Sequence, residues 1–480
     1  MSKRWWTLIA MSLATFMTYL DNNVVNVAIP TIQRDLHLTF SGLEWVVSTY
    51  LLVIAGLLLA GGRVADVFGR KRVFLIGLTI FTLSSLAAGL AGSAGLLIAS
   101  RAVQGLGAAM LMPATLAIVQ ATFTDPGERT RAIGIWGAVG ALALGFGPVI
   151  GGLISEHIRW GWIFLINVPI GIVTFAIALA AAGESHGNTA SRRLDWPGLA
   201  ASSAALFALT YALIDGQDRG WTSGPILAAF AAAAVCFTGF LTIEARSAHP
   251  MVPLSMFRYR EFTGGNGTMM GWSFGVLGIY IFTSVYLQTI LRFSPVKAGL
   301  SFVPMALCIA LSAALAPQVV RLLGRNRTVS LGVLIMVVGL CLFAMLGDHA
   351  SFASLMPGFV VFGLGGGLMT VPLTEAVLVA TSPERGGVAS ALLNESREVG
   401  GLLGITVIGA VLRSVQSGSL RGGANPATAF LDGYHAGVFL AIGVLAVCVV
   451  VSFVTLRPRA LPVEARQTES LSDAPSPARR

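Results

Sequence analysis

Apolar runs of about 20 residues recur along the whole chain, at roughly 5–28, 43–62, 73–92, 95–118, 132–154, 160–182, 197–214, 224–243, 262–287, 298–320, 328–347, 353–378, 387–411 and 434–456. At about 1.5 Å rise per residue, each run is long enough for a helix to cross a hydrocarbon layer about 30 Å thick. Short polar segments separate them. The pattern predicts an all-α integral membrane protein with 14 transmembrane helices and both termini on one side. Met1–Pro30 reads as a first membrane helix rather than a cleavable signal, because its apolar run is too long and contains Asp21, Asn22, Asn23 and Asn26. Residues 457–480, rich in Pro, Ser and charge, are expected to be a disordered cytoplasmic tail.

Composition agrees with this pattern, at 55% hydrophobic, 11% charged and a mean hydropathy of +0.79. The sharpest polar interruption is 62–72, Gly-Arg-Val-Ala-Asp-Val-Phe-Gly-Arg-Lys-Arg, with Arg63, Asp66, Arg70, Lys71 and Arg72 between two apolar runs. Such a segment must be a tight turn at the water interface, with Gly62 allowing close helix approach and Gly69 a left-handed bend. Cationic loops face the cytoplasm. With both termini cytoplasmic, outer loops hold Arg34, Arg159, Arg219, Arg292, Lys297, Arg413 and Arg421, spans hold Arg101 and Arg397, and the rest of the 31 Lys and Arg are cytoplasmic. The net charge of +9 is thereby explained by topology and anionic lipid rather than by nucleic acid, since no separate basic domain exists.

A faint copy of the 62–72 pattern lies at 317–327, with Gly324, Arg325 and Arg327 in register and Arg321 opposite Asp66. Gly105–Gly107 is echoed by Gly363–Gly365, and Thr124–Arg129 by Thr381–Arg385, in the same order and at nearly one offset. Two pseudo-symmetric six-helix halves follow, 1–183 and 259–456, with two inserted helices and inner linkers over 184–258. Paired halves about a midplane site suit alternating access. Arg101 is matched by Phe359, so the first half keeps charges its copy lacks.

The 62–72 turn resembles the loop between helices 2 and 3 of the major facilitator superfamily. Leu20–Pro30, reading Leu-Asp-Asn-Asn-Val-Val-Asn-Val-Ala-Ile-Pro, is similar to the end of helix 1 in its 14-helix drug:proton antiporter family. Leu97–Gly107 resembles the superfamily's helix 4 motif, and Trp162–Pro169 the antiporter helix 6. Gly140–Gly152, with Gly145, Gly147, Pro148, Gly151 and Gly152, resembles the helix 5 motif of antiporters. The resemblance implies drug or antibiotic efflux, a proton-coupling role for Arg101, and a gate at Gly62, Asp66, Gly69 and Arg70. A simple turn-stabilising role for Asp66 fits as well.

Asp21 is the leading chemical candidate. It lies roughly 24 Å along a helix starting near Trp5, and a carboxylate at that depth costs several kcal/mol. It either caps the interface with Asn22 and Asn23 or serves as a site for protons or cationic substrate. Arg101 sits at similar depth, cannot usefully deprotonate, and either tunes a nearby carboxylate or bonds structurally with Gln104. In span 13, Asn394, Glu395, Arg397 and Glu398 are adjacent; the two acids share a face, while Arg397 points about 100° away from Glu398. Two acids depart from the uncharged or amide-bearing segment of the family. They add proton or cation sites, or one is neutralised by Arg397. Asn22 and Asn26 join this set as path or packing residues. Gly147 and Gly151 form a small-xxx-small surface, and Pro148 bends the helix, so that it either packs closely or seals a path against proton leak.

Other chemistries fail. Cys236, Cys308, Cys341 and Cys448 lie in apolar spans without ligand spacing, so no metal or disulfide is expected. The histidines are scattered, and no Gly-Lys-Ser/Thr phosphate loop is present, so neither an enzyme nor ATP drive is indicated. The expected function is proton-coupled secondary active efflux of amphipathic, including cationic, compounds by alternating access. Its partners are a small-molecule substrate, protons and membrane lipid, acting as a monomer in a bacterial-type cytoplasmic membrane with no cofactor beyond the proton gradient. The alternatives are an exporter dedicated to one endogenous antibiotic, siderophore or lipid, and a non-transporting receptor or scaffold.

Overall fold

The computed structural model describes residues 2–186, 195–247, 250, 252–380 and 386–457. The expected tail beyond 457 and the echo at Thr381–Arg385 therefore lie outside the described residues. The helices are α1 (Lys3–Asp35), α2 (Phe40–Phe68), α3 (Arg70–Gly89), α4 (Ala94–Thr122), α5 (Pro126–His157), α6 (Trp162–Ala181), α7 (Trp196–Arg219) and α8 (Gly224–Arg246). They continue as α9 (Arg260–Ile290), α10 (Pro295–Leu323), α11 (Arg325–Ala344), α12 (Phe352–Val379), α13 (Gly386–Arg421) and α14 (Pro426–Thr455). No strand occurs among the described residues.

Of these, 12 are long and apolar enough to cross a membrane. Of the expected 14, α1, at 33 residues, is long but less apolar, and α5, at 32 residues, is not among the 12 found within the described residues. In α1 the polar residues responsible, Asp21, Asn23 and Asn26, are turned into the protein. The opposite surfaces are apolar and bare: Val235, Leu322, Val447 and Ile172 are all more than half exposed. Exposed large aliphatic side chains on long helices are what a lipid solvent requires.

Local sequence sets the helix starts. Asp125 and Asp195 each accept a bond from the backbone N–H three residues on, with proline in the first turn. Asn425 does the same for α14. Such caps satisfy backbone donors that the helix cannot.

Helices α1–α6 pack mainly among themselves, as do α9–α14, while α7 and α8 pair with each other. Repeat positions occupy matching places. Gly69 joins α2 to α3 at φ +106°, and Gly324 joins α10 to α11 at φ +82°. Only glycine adopts such angles without strain. A Cβ on Gly107 of α4 would lie 2.7 Å from the Phe81 nitrogen of α3, and one on Gly365 of α12 would lie 2.7 Å from the Met336 nitrogen of α11. The aromatic cluster Phe302, Phe343 and Phe359, with centroid separations of 5.0 and 4.9 Å, fills the later group where α4 carries Arg101.

Gly107→Val is expected to lower thermal stability in detergent by about 1–3 kcal/mol, because backbone rather than a flexible side chain blocks the new methyl groups. Gly95→Ala, which meets open space, should change it by less than about 0.5 kcal/mol.

Candidate functional site

The first site is a polar knot closed inside α1, α3, α4 and α6. Arg101 and Gln104 are three apart on α4 and therefore share a face, which meets Asp21 of α1. Asp21 Oδ2 accepts from Arg101 Nη1 at 2.5 Å, and Oδ1 accepts from Gln104 Nε2 at 2.8 Å and Asn167 Nδ2 at 2.9 Å. Gln104 also donates to Ser85 Oγ of α3 at 2.7 Å and accepts from Arg101 at 2.7 Å. Arg101 Nε reaches the Val46 carbonyl at 3.2 Å, and its guanidinium lies 4.1 Å from the centre of the Tyr50 ring. Asp21, Arg101, Gln104 and Asn167 are wholly buried.

This burial sets the electrostatics. An isolated charge in hydrocarbon is prohibitive, whereas a carboxylate with three donors, one of them a guanidinium, is tolerable. The interfacial-cap reading of Asp21 therefore gives way to a buried pair. Arg101 takes the side-chain bonds foreseen with Gln104. Asn22 and Asn23 are not partners of Asp21: Asn23 Nδ2 donates to the Tyr19 carbonyl, and Asn26 Nδ2 to the Asn22 carbonyl.

The second site is a cavity of about 560 Å³ that opens at the end of the molecule bearing the 62–72 turn. Thr15, Tyr19, Asp66, Met112, Trp136 and Asn394 are among its walls. Arg397 of α13 crosses to α1 here, donating to the Tyr19 hydroxyl at 3.0 Å. It also pairs with Glu398 at 2.8 Å. Adjacent helix positions diverge, but the long arginine stem swings back, so for Glu398 the alternative in which a span-13 acid pairs with Arg397 is the one seen. Glu395 has no cation within ion-pair distance among the described residues, and its buried Oε2 lacks a hydrogen-bond partner.

At the mouth, Asp66 accepts from Arg70 at 2.9 Å, and Arg70 also reaches the Ala117 carbonyl of α4. Gly62 lies against Pro113, and Glu184, just past α6, accepts from the backbone of Lys71 and Arg72. The glycine-rich stretch of α5 packs on α1: a Cβ on Gly147 would lie 2.7 Å from Asn23 Cβ, and one on Gly151 would lie 2.5 Å from the Val24 carbonyl oxygen. Gly152 and Pro148 abut the backbone of Pro295 and Gly299 in α10. The backbone at Gly145 lies in the same helix.

Two spanning groups escaped the sequence reading. Asn167 was visible as an amide inside an apolar run, but nothing in sequence tied it to Asp21. Arg413, expected in an outer loop, lies inside α13, is 5% exposed and pairs with Glu44 of α2 at 2.9 Å. The apolar run ends at 411, while the helix continues to Arg421.

The sequence matches the family model described as Major Facilitator Superfamily over residues 11–405. The chain belongs to the major facilitator superfamily. It is therefore a multi-pass membrane transporter and not an enzyme. It is 33% identical over 468 residues to the puromycin resistance protein pur8 of Streptomyces alboniger, covering 95% of this chain and 92% of that one. It is 36% identical over 417 residues to the multidrug resistance protein Stp of Mycobacterium tuberculosis, covering 86% and 77%. Its fold matches a bacterial homologue of the human lysosomal transporter Spinster, in an inward-facing and unoccupied conformation, with TM-score 0.67, 17% identity and 99% of each chain covered.

Replacing Asp21 by Asn should destabilise this transporter by about 3–5 kcal/mol in detergent thermal unfolding, because it strands the Arg101 charge. Ser85→Ala removes two neutral bonds, from Gln104 at 2.7 Å and Asn167 at 3.4 Å, and should cost about 1–2 kcal/mol.

Proposed function

We propose that this transporter exports antibiotics and other amphipathic organic compounds in exchange for protons, by alternating access. The observation that carries the reading is a buried, fully partnered carboxylate, Asp21, on the same helix as Tyr19, which lies two residues away and forms part of the cavity wall. The resistance proteins among its relatives support the substrate class.

The positively charged 62–72 turn is the cytoplasmic side by the charge bias of the loops. The cavity is then open inward, and substrate enters beside Trp136, Asn394 and Asp66. Helices α1–α6 and α9–α14 act as the two halves that rock, and α7 and α8 are the insertion. Matching glycine junctions at Gly69 and Gly324 support that division. Asp66 is held here by Arg70 of its own turn; when the cytoplasmic side closes, it braces the opposite half. Protons load from outside onto Asp21 or the α13 acids, Glu395 and Glu398. Protonating Asp21 removes the charge that Arg101 compensates, so binding a proton and reorganising the knot are one event.

One proton moved across 100 mV releases about 2.3 kcal/mol, which sustains a gradient on the order of tens-fold. No cofactor is required. The protein works as a monomer in a bacterial cytoplasmic membrane, with anionic lipid against its basic inner loops. A dedicated exporter of one product is the second reading, favoured by the naming of pur8 for a single antibiotic.

In everted vesicles with an acidified lumen, adding puromycin should alkalinise the lumen, and Asp21→Asn should abolish this response. Puromycin uptake without proton movement would refute the coupling. Protection of cells against several unrelated toxic compounds separates the broad exporter from the dedicated one.

A further inference from the structure

The end of the molecule opposite the cavity is closed, and its closure includes a charge pair that the coupling scheme does not use. Glu44 stands in the second turn of α2 and Arg413 near the end of α13, so their 2.9 Å contact joins the first helix group to the last. Both are buried, at 0% and 5% side-chain exposure. Arg413 Nη2 also donates to the Leu213 carbonyl of α7 at 3.2 Å, bringing the inserted helices into the same joint. Its guanidinium lies 5.8 Å from the Phe40 ring centre, and Phe40 stacks on Phe282 of α9 at 6.0 Å.

The pocket for the acid is built by a missing side chain. Glu44 Oε1 occupies the place where a Cβ on Gly409 of α13 would stand. Around it, Trp45 Nε1 donates to Asp215 of α7 at 2.9 Å, and Gln217 of α7 donates to Ser417 of α13 at 3.1 Å. Glu156 of α5 accepts from the Val296 nitrogen of α10 at 2.9 Å.

We infer that Glu44 and Arg413 are the latch of the closed end: a positioning pair that holds the cavity-open state and must part when the molecule opens the other way. The inference rests on the alternating-access reading. The physical reason is the asymmetry of buried ions. While the end is closed, the ion pair offsets the two buried charges, although Glu44 Oε1 and Arg413 Nη1 have no hydrogen-bond partner there. Parting is tolerable only when water enters between α2 and α13, so the opening of that end and the rupture of the pair are one event. Neutralising one partner leaves the other charge buried in the closed state and hydrated in the open one. The balance therefore moves toward opening.

The test uses the full chain in nanodiscs, with Cys236, Cys308, Cys341 and Cys448 replaced by serine. Spin labels at Asp35→Cys and Arg421→Cys read the closed end. Labels at Arg72→Cys and Arg327→Cys, in a second sample, read the cavity end. Glu44→Gln should enlarge the population with a long closed-end distance by about tenfold or more, and shorten the cavity-end distance reciprocally. Gly409→Ala, which expels the carboxylate without changing any charge, should shift both distances in the same directions. The exchanged pair, Glu44→Arg with Arg413→Glu, should return most of the population to the closed distance.

Unchanged distances in folded Glu44→Gln and Gly409→Ala proteins would overturn the latch. So would broadening at both ends without reciprocity, which is the mark of mere destabilisation. The distances are read without substrate or gradient, so a failure of proton coupling in vesicles leaves this test intact, and the two ideas fail separately.

Discussion

The pairing of Asp21 with Arg101 is the constraint around which the first six helices are arranged. Both charges are wholly buried, and in a lipid-embedded interior neither is tolerable alone. Each neighbouring helix therefore contributes to their satisfaction: Ser85 and Gln104 extend the network through α3 and α4, Asn167 adds an amide from α6, and Val46 a carbonyl from α2. These short bonds require helix axes to approach closely. Gly107 against α3 and Gly147 against α1 supply that approach by having no side chain to hold the helices apart.

At the position that matches Arg101, the later helix group packs without charge. Where α4 places Arg101, α12 places Phe359, wedged between Phe302 and Phe343. A ring cluster is apolar and needs no partner, whereas the polar knot is held by directional bonds to a buried carboxylate. The two groups therefore centre on different packing, a charged knot in the first and an aromatic cluster in the later one. They meet at the cavity through Arg397 and Tyr19, and at the closed end through Glu44 and Arg413.

The sequence already carried much of this. Apolar run lengths specified a membrane-spanning all-α chain, because hydrocarbon thickness leaves few other solutions. Gly69 and Gly324 could be read as turn glycines, and both have positive φ. Asp21, Arg101 and Gln104 were legible as polar residues inside apolar runs. Their depth along separate helices placed Asp21 and Arg101 at similar levels.

What run length and depth could not supply was azimuth and partnership. Depth along a helix comes from counting residues, but which neighbour a side chain faces depends on how helices far apart in sequence rotate against one another. Asn167 therefore could not be tied to Asp21 before the helices were assembled, nor Arg413 to Glu44. Arg397 showed the same limit at short range, since its flexible stem overrode the angular rule for adjacent positions. The sequence by itself determined the solvent, the secondary structure and the rare charges that lipid forbids to remain unpaired. Tertiary structure alone decided the pairings, and with them which end of the molecule is open, because those depend on contacts between helices that no local pattern encodes.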